Sequence, residues 1–307
     1  MHGFINLKKE KGWTSHDVVA KLRGILKTKR IGHTGTLDPE VEGVLVIAVG
    51  KATKMIQYME DVKKTYVAEI TFGLSTDTED MQGRVLEQRL VEADELANLR
   101  CVLSKMKGQI EQIPPMYSAV KINGQKLYKL ARKGQEIERP TRTIRIYDNK
   151  LLYGPVRNEE NWTAGIEVVC SKGTYIRTYC KDLAAALGTI GVMSDLKRTK
   201  VGIFDISDSL TIQEIEDMTK NNDDSFLQNI GDVVPGKKYT IQNDKAVERA
   251  KHGNSLSLKD MGIHKMDEVE CDEPLMIYLP DGTLLGVAVC IKEGESFTIR
   301  MKKVFIA

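Results

Sequence analysis

Cysteine is scarce and scattered. Cys101, Cys170, Cys180, Cys271 and Cys290 are odd in number and never form a CxxC pair, which argues against a disulfide framework and a zinc ribbon. Five histidines show no metal-ligand spacing. Long apolar runs are missing too. The longest, such as VLVIAV at 44–49, are strand-sized and far short of the roughly 20 residues that span a bilayer. The opening MHGFINLKKEKGW lacks the charged-then-apolar pattern of an export signal. Nor does one sign of charge dominate, with 45 Lys+Arg against 43 Asp+Glu. What remains is a cytosolic globular protein. Its 307 residues suffice for one large domain or two ordinary ones with a substantial core.

The balanced total hides segregation. Residues 1–64 carry 12 basic and 7 acidic side chains, residues 105–150 carry 11 and 4, and residues 171–200 carry 6 and 2. Residues 205–234 reverse this, with 8 acidic side chains and one Lys. Separated basic patches let a nearly neutral protein hold a polyanion. Charge alone does not distinguish such patches from ordinary solvated faces.

Periodicity alternates between strand and helix. Thr14–Ser15 cap an amphipathic helix, SHDVVAKLRGILK, whose Val18, Val19, Leu22, Ile25 and Leu26 recur at helical spacing. Residues 44–49, 65–74 and 142–153 read as strands, and 93–106 as a helix. The prolines and Gly124 exclude a helix over 113–125, whereas 126–134 forms a short basic helix ended by glycine. Residues 162–188 give strand, tight turn and helix. The class is α+β. After the acidic NNDD at 221–224, a segment of about 70 residues with strand-like pieces (LMIYL, LLGVAVCI, FTIRMKKVFIA) and a Pro280-Asp281-Gly282 turn reads as a small β-rich domain.

The most unusual segment is Gly32-His33-Thr34-Gly35-Thr36-Leu37-Asp38-Pro39. Two glycines permit a tight, backbone-dense loop, and the proline pushes Asp38 out of helical geometry. An acid on such a loop can project into a cleft as nucleophile or general base. The loop lacks the GK[ST] ending of a phosphate-binding P-loop.

GHTGTLDPEVEGVL with GKATK (50–54) resembles the catalytic loop of TruB-type tRNA pseudouridine synthases. The resemblance continues in order through Lys63-Lys64-Thr65-Tyr66-Val67-Ala68, the stretch Gln112 to Lys121, Cys170 to Thr178, and Leu196-Lys197-Arg198. It covers residues 1 to about 230. Beyond that, position and β-content resemble the PUA-type domain of bacterial members. One departure stands out: Glu10 occupies the place where the family usually has proline, between the matching Lys9 and Gly12.

The resemblance implies a pseudouridine-synthase fold over residues 1–232, with a mixed, mainly antiparallel central sheet and flanking helices. It also implies an RNA-gripping insertion at about 105–150 and a PUA-like RNA-binding domain at 233–307. The implied activity is isomerisation of the T-loop uridine at tRNA position 55 by a cytoplasmic monomer that needs no cofactor, metal, membrane or guide RNA. Asp38 would be the nucleophile, Arg177 its partner through a two-pronged contact, and Tyr66 a stacking face and proton-transfer aid. Tyr175 and Leu196 would line the base pocket, with Lys9 also on the substrate side. The uridine must leave its stack, at a cost of a few kcal/mol, and His33, between glycines and so mobile, would fill the space. Lys121, Lys126, Lys129, Arg132 and Lys133 would grip phosphates. The segment after 235 carries none of these motifs, so it should assist binding and be separable from chemistry. Two rival readings are a non-catalytic tRNA-binding protein on the same scaffold and a guide-dependent rRNA modifier. The intact Asp38, Tyr66 and Arg177 oppose the first, and the long insertion opposes the second.

Overall fold

Residues 44–49 are apolar on both faces and buried on both, as a strand inside a sheet demands. The computed structural model describes residues 1–305 apart from 123, 136, 159–160, 264–268, 272 and 294–295. The last two residues of the strand expected over 297–307 therefore lie outside the described residues.

The first half contains β1 (Gly3–Lys9), α1 (Ser15–Ile25), β2 (Ile31–His33), β3 (Glu42–Val49), β4 (Lys64–Phe72), β5 (Leu74–Thr76) and β6 (Val85–Gln88). Next come α2 (Leu99–Lys105), β7 (Gly108–Gln112), β8 (Lys121–Ile122), β9 (Gln125–Lys126), α3 (Leu127–Ala131) and β10 (Arg142–Asn158). β11 (Asn161–Cys170), α4 (Ile176–Ala186), β12 (Gly191–Val201), β13 (Phe204–Asp205) and α5 (Ile212–Lys220) complete this part. The main sheet runs β1-β3-β12-β4-β11-β10-β7, with β2 on β3 and β13 on β12. Among the described residues of this sheet only the β3–β12 pair is parallel, so the sheet is mixed and mainly antiparallel, as the resemblance implied.

Helix α1 forms where its cap directs. Thr14 Oγ1 accepts from Asp17 N and the Asp17 carboxylate accepts from Thr14 N, a reciprocal capping box. Its Val18, Val19 and Leu22 then pack on Ile5, Leu7, Leu45 and Ile47. Helices α2 and α4 cover β4, β10, β11 and β12 through Leu99, Leu103, Tyr179 and Leu183. The helix expected over 93–106 is shorter, and its first six residues are turns. There Asp94 Oδ1 accepts from Glu95 N, while Glu95 accepts from Glu92 N and pairs with Arg89 at 2.6 Å. Side chains engaged this way compete with the helical ladder.

The last third holds α6 (Ile230–Val233), β14 (Lys237–Thr240), α7 (Asp244–Lys251), β15 (Pro274–Tyr278), β16 (Leu284–Glu293) and β17 (Ser296–Val304). The strands form a second sheet in the order β14-β15-β16-β17. It has its own core of Ile241, Leu275, Ile277, Leu285 and Ile299. It also shares a second apolar cluster with the main sheet, in which Val233, Val234, Met276, Val287 and Phe305 pack with Phe4, Val44 and Val46. Lys51 Nζ donates to Phe305 O at 2.5 Å across the same junction.

That shared cluster changes what truncation should do. Each large apolar side chain taken out of water contributes about 1.5–3 kcal/mol, and whole domains are stable by only about 5–15 kcal/mol. Ending the chain near residue 235 strips Met276, Val287 and Phe305 from the β1–β3 surface. The truncated protein should therefore melt at least about 10 °C lower, by circular dichroism, and not merely bind tRNA more weakly. An unchanged melting temperature would return the segment to a separable binding aid.

Candidate active site

The loop from residue 34 to 41 is anchored on both sides of Asp38. Thr34 N donates to Val46 O at 3.0 Å, and Leu37 N donates to Ser15 Oγ at 3.0 Å. Pro39 O accepts from Gly12 N at 2.9 Å and from Lys9 Nζ at 2.9 Å. Leu37 and Val41 are buried in the main core. With its neighbours tied down, the Asp38 side chain is left outward and 49% exposed. A carboxylate held this way needs no reorganisation to meet a ligand.

Arg177, at the start of α4, reaches it from below and is only 8% exposed. Its Nη2 lies 3.1 Å from Asp38 Oδ2 and donates to Tyr117 O at 3.0 Å. Its Nη1 donates to Thr78 O at 2.9 Å and lies 3.5 Å from Asp80 Oδ2. This corrects the expected two-pronged grip on Asp38: the fork is shared between two carboxylates and two backbone carbonyls. The Asp80 turn is itself fixed. Glu79 adopts φ 63°, and its buried carboxylate accepts from Thr178 Oγ1 at 2.5 Å and pairs with Lys181.

Tyr66 lies on β4 between Val168 of β11 and Arg198 of β12, on the face that also carries Ala68 and Ile70. Burial pushes its phenol pKa up. Arg198 opposes this, its Nη1 3.5 Å from Tyr66 Oη. Leu196 is buried in the cluster against which Tyr66 packs. Tyr175 is half-buried and its main chain is gripped at both ends by the Gln112 amide, at 2.8 and 3.0 Å. It packs on Met116, Val120, Leu127 and Leu130, the small core of the 113–131 lobe.

Two expectations need correction. Lys9 does not face a substrate: it is 0% exposed, and its ammonium is spent on the carbonyls of Glu10, Trp13 and Pro39. Burial pushes its pKa down to about 8. Lys9 therefore props the Asp38 loop. His33 is not on a mobile loop either. It ends β2, its backbone pairs with Ile47, and its ring meets His16 edge-on at 5.6 Å. Burial lowers its pKa, so the ring is uncharged at neutral pH and suited to stacking more than to pairing with phosphate.

The basic residues of the insertion are where RNA could reach them. Lys121, Lys129 and Arg132 are exposed and Lys126 half-buried, all around the β8–β9 hairpin and α3. Lys126 Nζ and Arg132 Cζ flank the Tyr128 ring at 5.6 and 5.5 Å, a cation–aromatic arrangement common on nucleic-acid-binding surfaces. The structure thus sets Asp38 against Arg177 and packs Tyr66 on the cluster that holds Leu196, with Arg198 between the Asp38 loop and the Tyr66 hydroxyl. It adds Asp80 and Arg198, which the sequence reading did not single out as site residues. The acid-rich Asp77–Asp80 run and the basic end of Leu196-Lys197-Arg198 were their only signals.

Comparisons with known proteins bear on the family to which the chain belongs. A profile described as TruB family pseudouridylate synthase (N terminal domain) matches residues 23–176, and one described as tRNA pseudouridylate synthase B C-terminal domain matches 177–232. A Listeria monocytogenes protein named tRNA pseudouridine synthase B is 51% identical over 257 residues, 83% of this chain and 84% of that one. One of the same name from Oceanobacillus iheyensis is 44% identical over 315 aligned positions, covering 99% of this chain and all of its own. Among solved structures, a chain of a Cbf5-Nop10-Gar1 complex aligns with a TM-score of 0.75 at 27% identity, over 99% of this chain and 85% of that one. A chain of an H/ACA RNP bound to a substrate RNA containing 2'-deoxyuridine shares the fold, with a TM-score of 0.73 at 24% identity over 99% of this chain and 85% of that one. The ordered motifs, the sheet that gathers them and this degree of identity lead to one conclusion: the chain belongs to the TruB family of pseudouridylate synthases.

Proposed function

We propose that this protein converts the T-loop uridine at tRNA position 55 to pseudouridine, acting in the cytoplasm as a monomer without cofactor or guide RNA. The observation that carries the reading is the exposed Asp38 carboxylate on an immobilised loop, with a buried, fully held Arg177 against one oxygen. Its relatives' shared name supplies the substrate.

In the reaction the C1′–N1 bond breaks and a C1′–C5 bond forms. The proton leaves C5 and one arrives at N1, so no atom comes from outside. Asp38 supplies the nucleophile. The Tyr66 ring offers a stacking face to the base and its phenol a group for proton transfer. Leu196 and Tyr175 close the pocket so that the detached base cannot escape before it re-bonds. Flipping the uridine out costs a few kcal/mol, and His33 stacking into the gap returns about 1–3 kcal/mol. Residues 1–232 are the catalytic domain and 233–307 a PUA-like RNA-binding domain. Lys121, Lys126, Lys129 and Arg132 hold the T arm by its phosphates. One solved neighbour comes from an H/ACA RNP, but a basic lobe built into the chain favours unaided T-arm recognition.

The deciding experiment incubates the protein with unmodified tRNA transcript and maps pseudouridine at single-nucleotide resolution. Product at position 55 in the absence of any other RNA is expected. Absence of product there would overturn the reading, and product only with an added guide RNA would favour the guide-dependent alternative.

A further inference from the structure

Beside the three reacting residues lies a cation whose burial is costly. Arg198 is 2% exposed. Its Nε donates to Val44 O at 2.7 Å, Nη2 to Gly35 O at 3.1 Å, and Nη1 to Thr36 O at 3.4 Å and Tyr66 Oη at 3.5 Å. Its Cζ is 6.0 Å from the centre of the Tyr66 ring. All four acceptors are neutral oxygens. Removing a guanidinium from water for dipoles alone is a poor source of stability, and a well-packed apolar side chain would serve the core better. Gly43 faces Arg198 in the parallel β3–β12 register, at φ +125°, and a Cβ there would lie 2.1 Å from Arg198 O.

We propose that Arg198 is a positioning residue that joins the Asp38 loop and the Tyr66 hydroxyl into one rigid unit. Two of its N–H groups hold the carbonyls of Gly35 and Thr36, three and two residues before Asp38. A guanidinium has no acceptor, so Tyr66 Oη must receive the N–H, and the phenol's own proton is turned away from Arg198 and left for the cleft. The inference rests on the reading of Asp38 and Tyr66 as reacting groups. It also accounts for the electrostatics around the phenol. Burial makes Tyr66 harder to ionise, Cys170 on β11 and Asp38 on the loop push the same way, and Arg198 on β12 pushes against them.

The test follows Tyr66 directly. The full chain has ten tyrosines, so it is labelled with 3-fluorotyrosine, and the Tyr66 fluorine resonance is identified by its loss in Tyr66→Phe. The midpoint of its pH titration is then compared in wild type, Arg198→Gln and Arg198→Lys. It should rise by about one pH unit in Arg198→Gln. The rise should be smaller in Arg198→Lys, which keeps the charge but cannot span four acceptors. The single-turnover rate at saturating tRNA should fall about 100-fold, with KM for tRNA within about threefold, because Arg198 is closed off from solvent. A midpoint unmoved in both variants, with rate lost only in step with melting temperature, would make Arg198 structural and overturn the proposal. If Arg198→Gln does not fold, Arg198→Lys decides by the same criterion. The titration needs no turnover. A shifted midpoint in a protein that makes no T-loop pseudouridine would therefore keep the coupling and remove only the functional reading.

Discussion

Asp38→Asn should lower turnover by at least about 10⁴-fold, the scale expected for loss of a nucleophile, while tRNA affinity stays within about threefold. The amide has nearly the volume of the carboxylate, and its oxygen can still accept from Arg177 Nη2. Arg177 remains held by Thr78 O, Tyr117 O and Asp80. The loop keeps its anchors to Val46, Ser15, Gly12 and Lys9, so the folded state should barely notice. What goes is the negative charge and the nucleophilic oxygen. Affinity survives because phosphate contacts through Lys121, Lys129 and Arg132 are remote and electrostatic. Release of tritium from tRNA carrying 5-³H-uridine measures the first quantity, and filter binding the second. Retention of even a tenth of wild-type turnover would remove Asp38 as nucleophile. A matching loss of affinity would make it a binding residue.

How much of this was legible beforehand depends on whether a signal was local. The Asp-Pro step and the Thr14 cap are written in consecutive residues, and each formed as its local chemistry required, whereas Gly32 went into strand β2. The central sheet was legible as a class because β3, β4, β10 and β11 carry strand-like runs. The partners of Arg177 other than Asp38 were not. Thr78 and Tyr117 offer only backbone carbonyls, 99 and 60 residues away, and a carbonyl leaves no trace in a side-chain pattern. Lys9 misled for the opposite reason. The resemblance puts it on the substrate side, yet three carbonyls converge on its Nζ, and only tertiary folding brings Pro39 there. The short α2 was lost to local competition by Asp94 and Glu95, a contest that helical periodicity does not register. The shared cluster of Phe4, Val46, Met276 and Phe305 joins residues some 300 positions apart, beyond the reach of any windowed reading.

Arg177→Lys should cost heavily, though less than Asp38→Asn, even with the charge conserved. The guanidinium fills four tasks in one plane: Nη1 meets Thr78 O and Asp80, and Nη2 meets Tyr117 O and Asp38. A lysine ammonium is a single point on a flexible stem and cannot serve both pairs at once. Wherever it settles, at least one buried carbonyl loses its donor, at about 1–3 kcal/mol. Settling on Thr78 and Asp80 frees the Asp38 carboxylate to swing. Settling on Asp38 instead loosens the Asp80 turn and the Tyr117 segment, which leads into the basic lobe. Either way the nucleophile loses its aim, and a displacement near 1 Å is enough to cost about 100-fold. Turnover should therefore fall about 10²–10³-fold, KM should change little, and the melting temperature should drop by a few degrees. Single-turnover rates at saturating tRNA, read beside a thermal melt, separate the two effects. Near-normal turnover in a folded Arg177→Lys protein would show that charge alone suffices at this position. The shared fork seen between Asp38 and Asp80 would then be a feature of the fold and not of the chemistry.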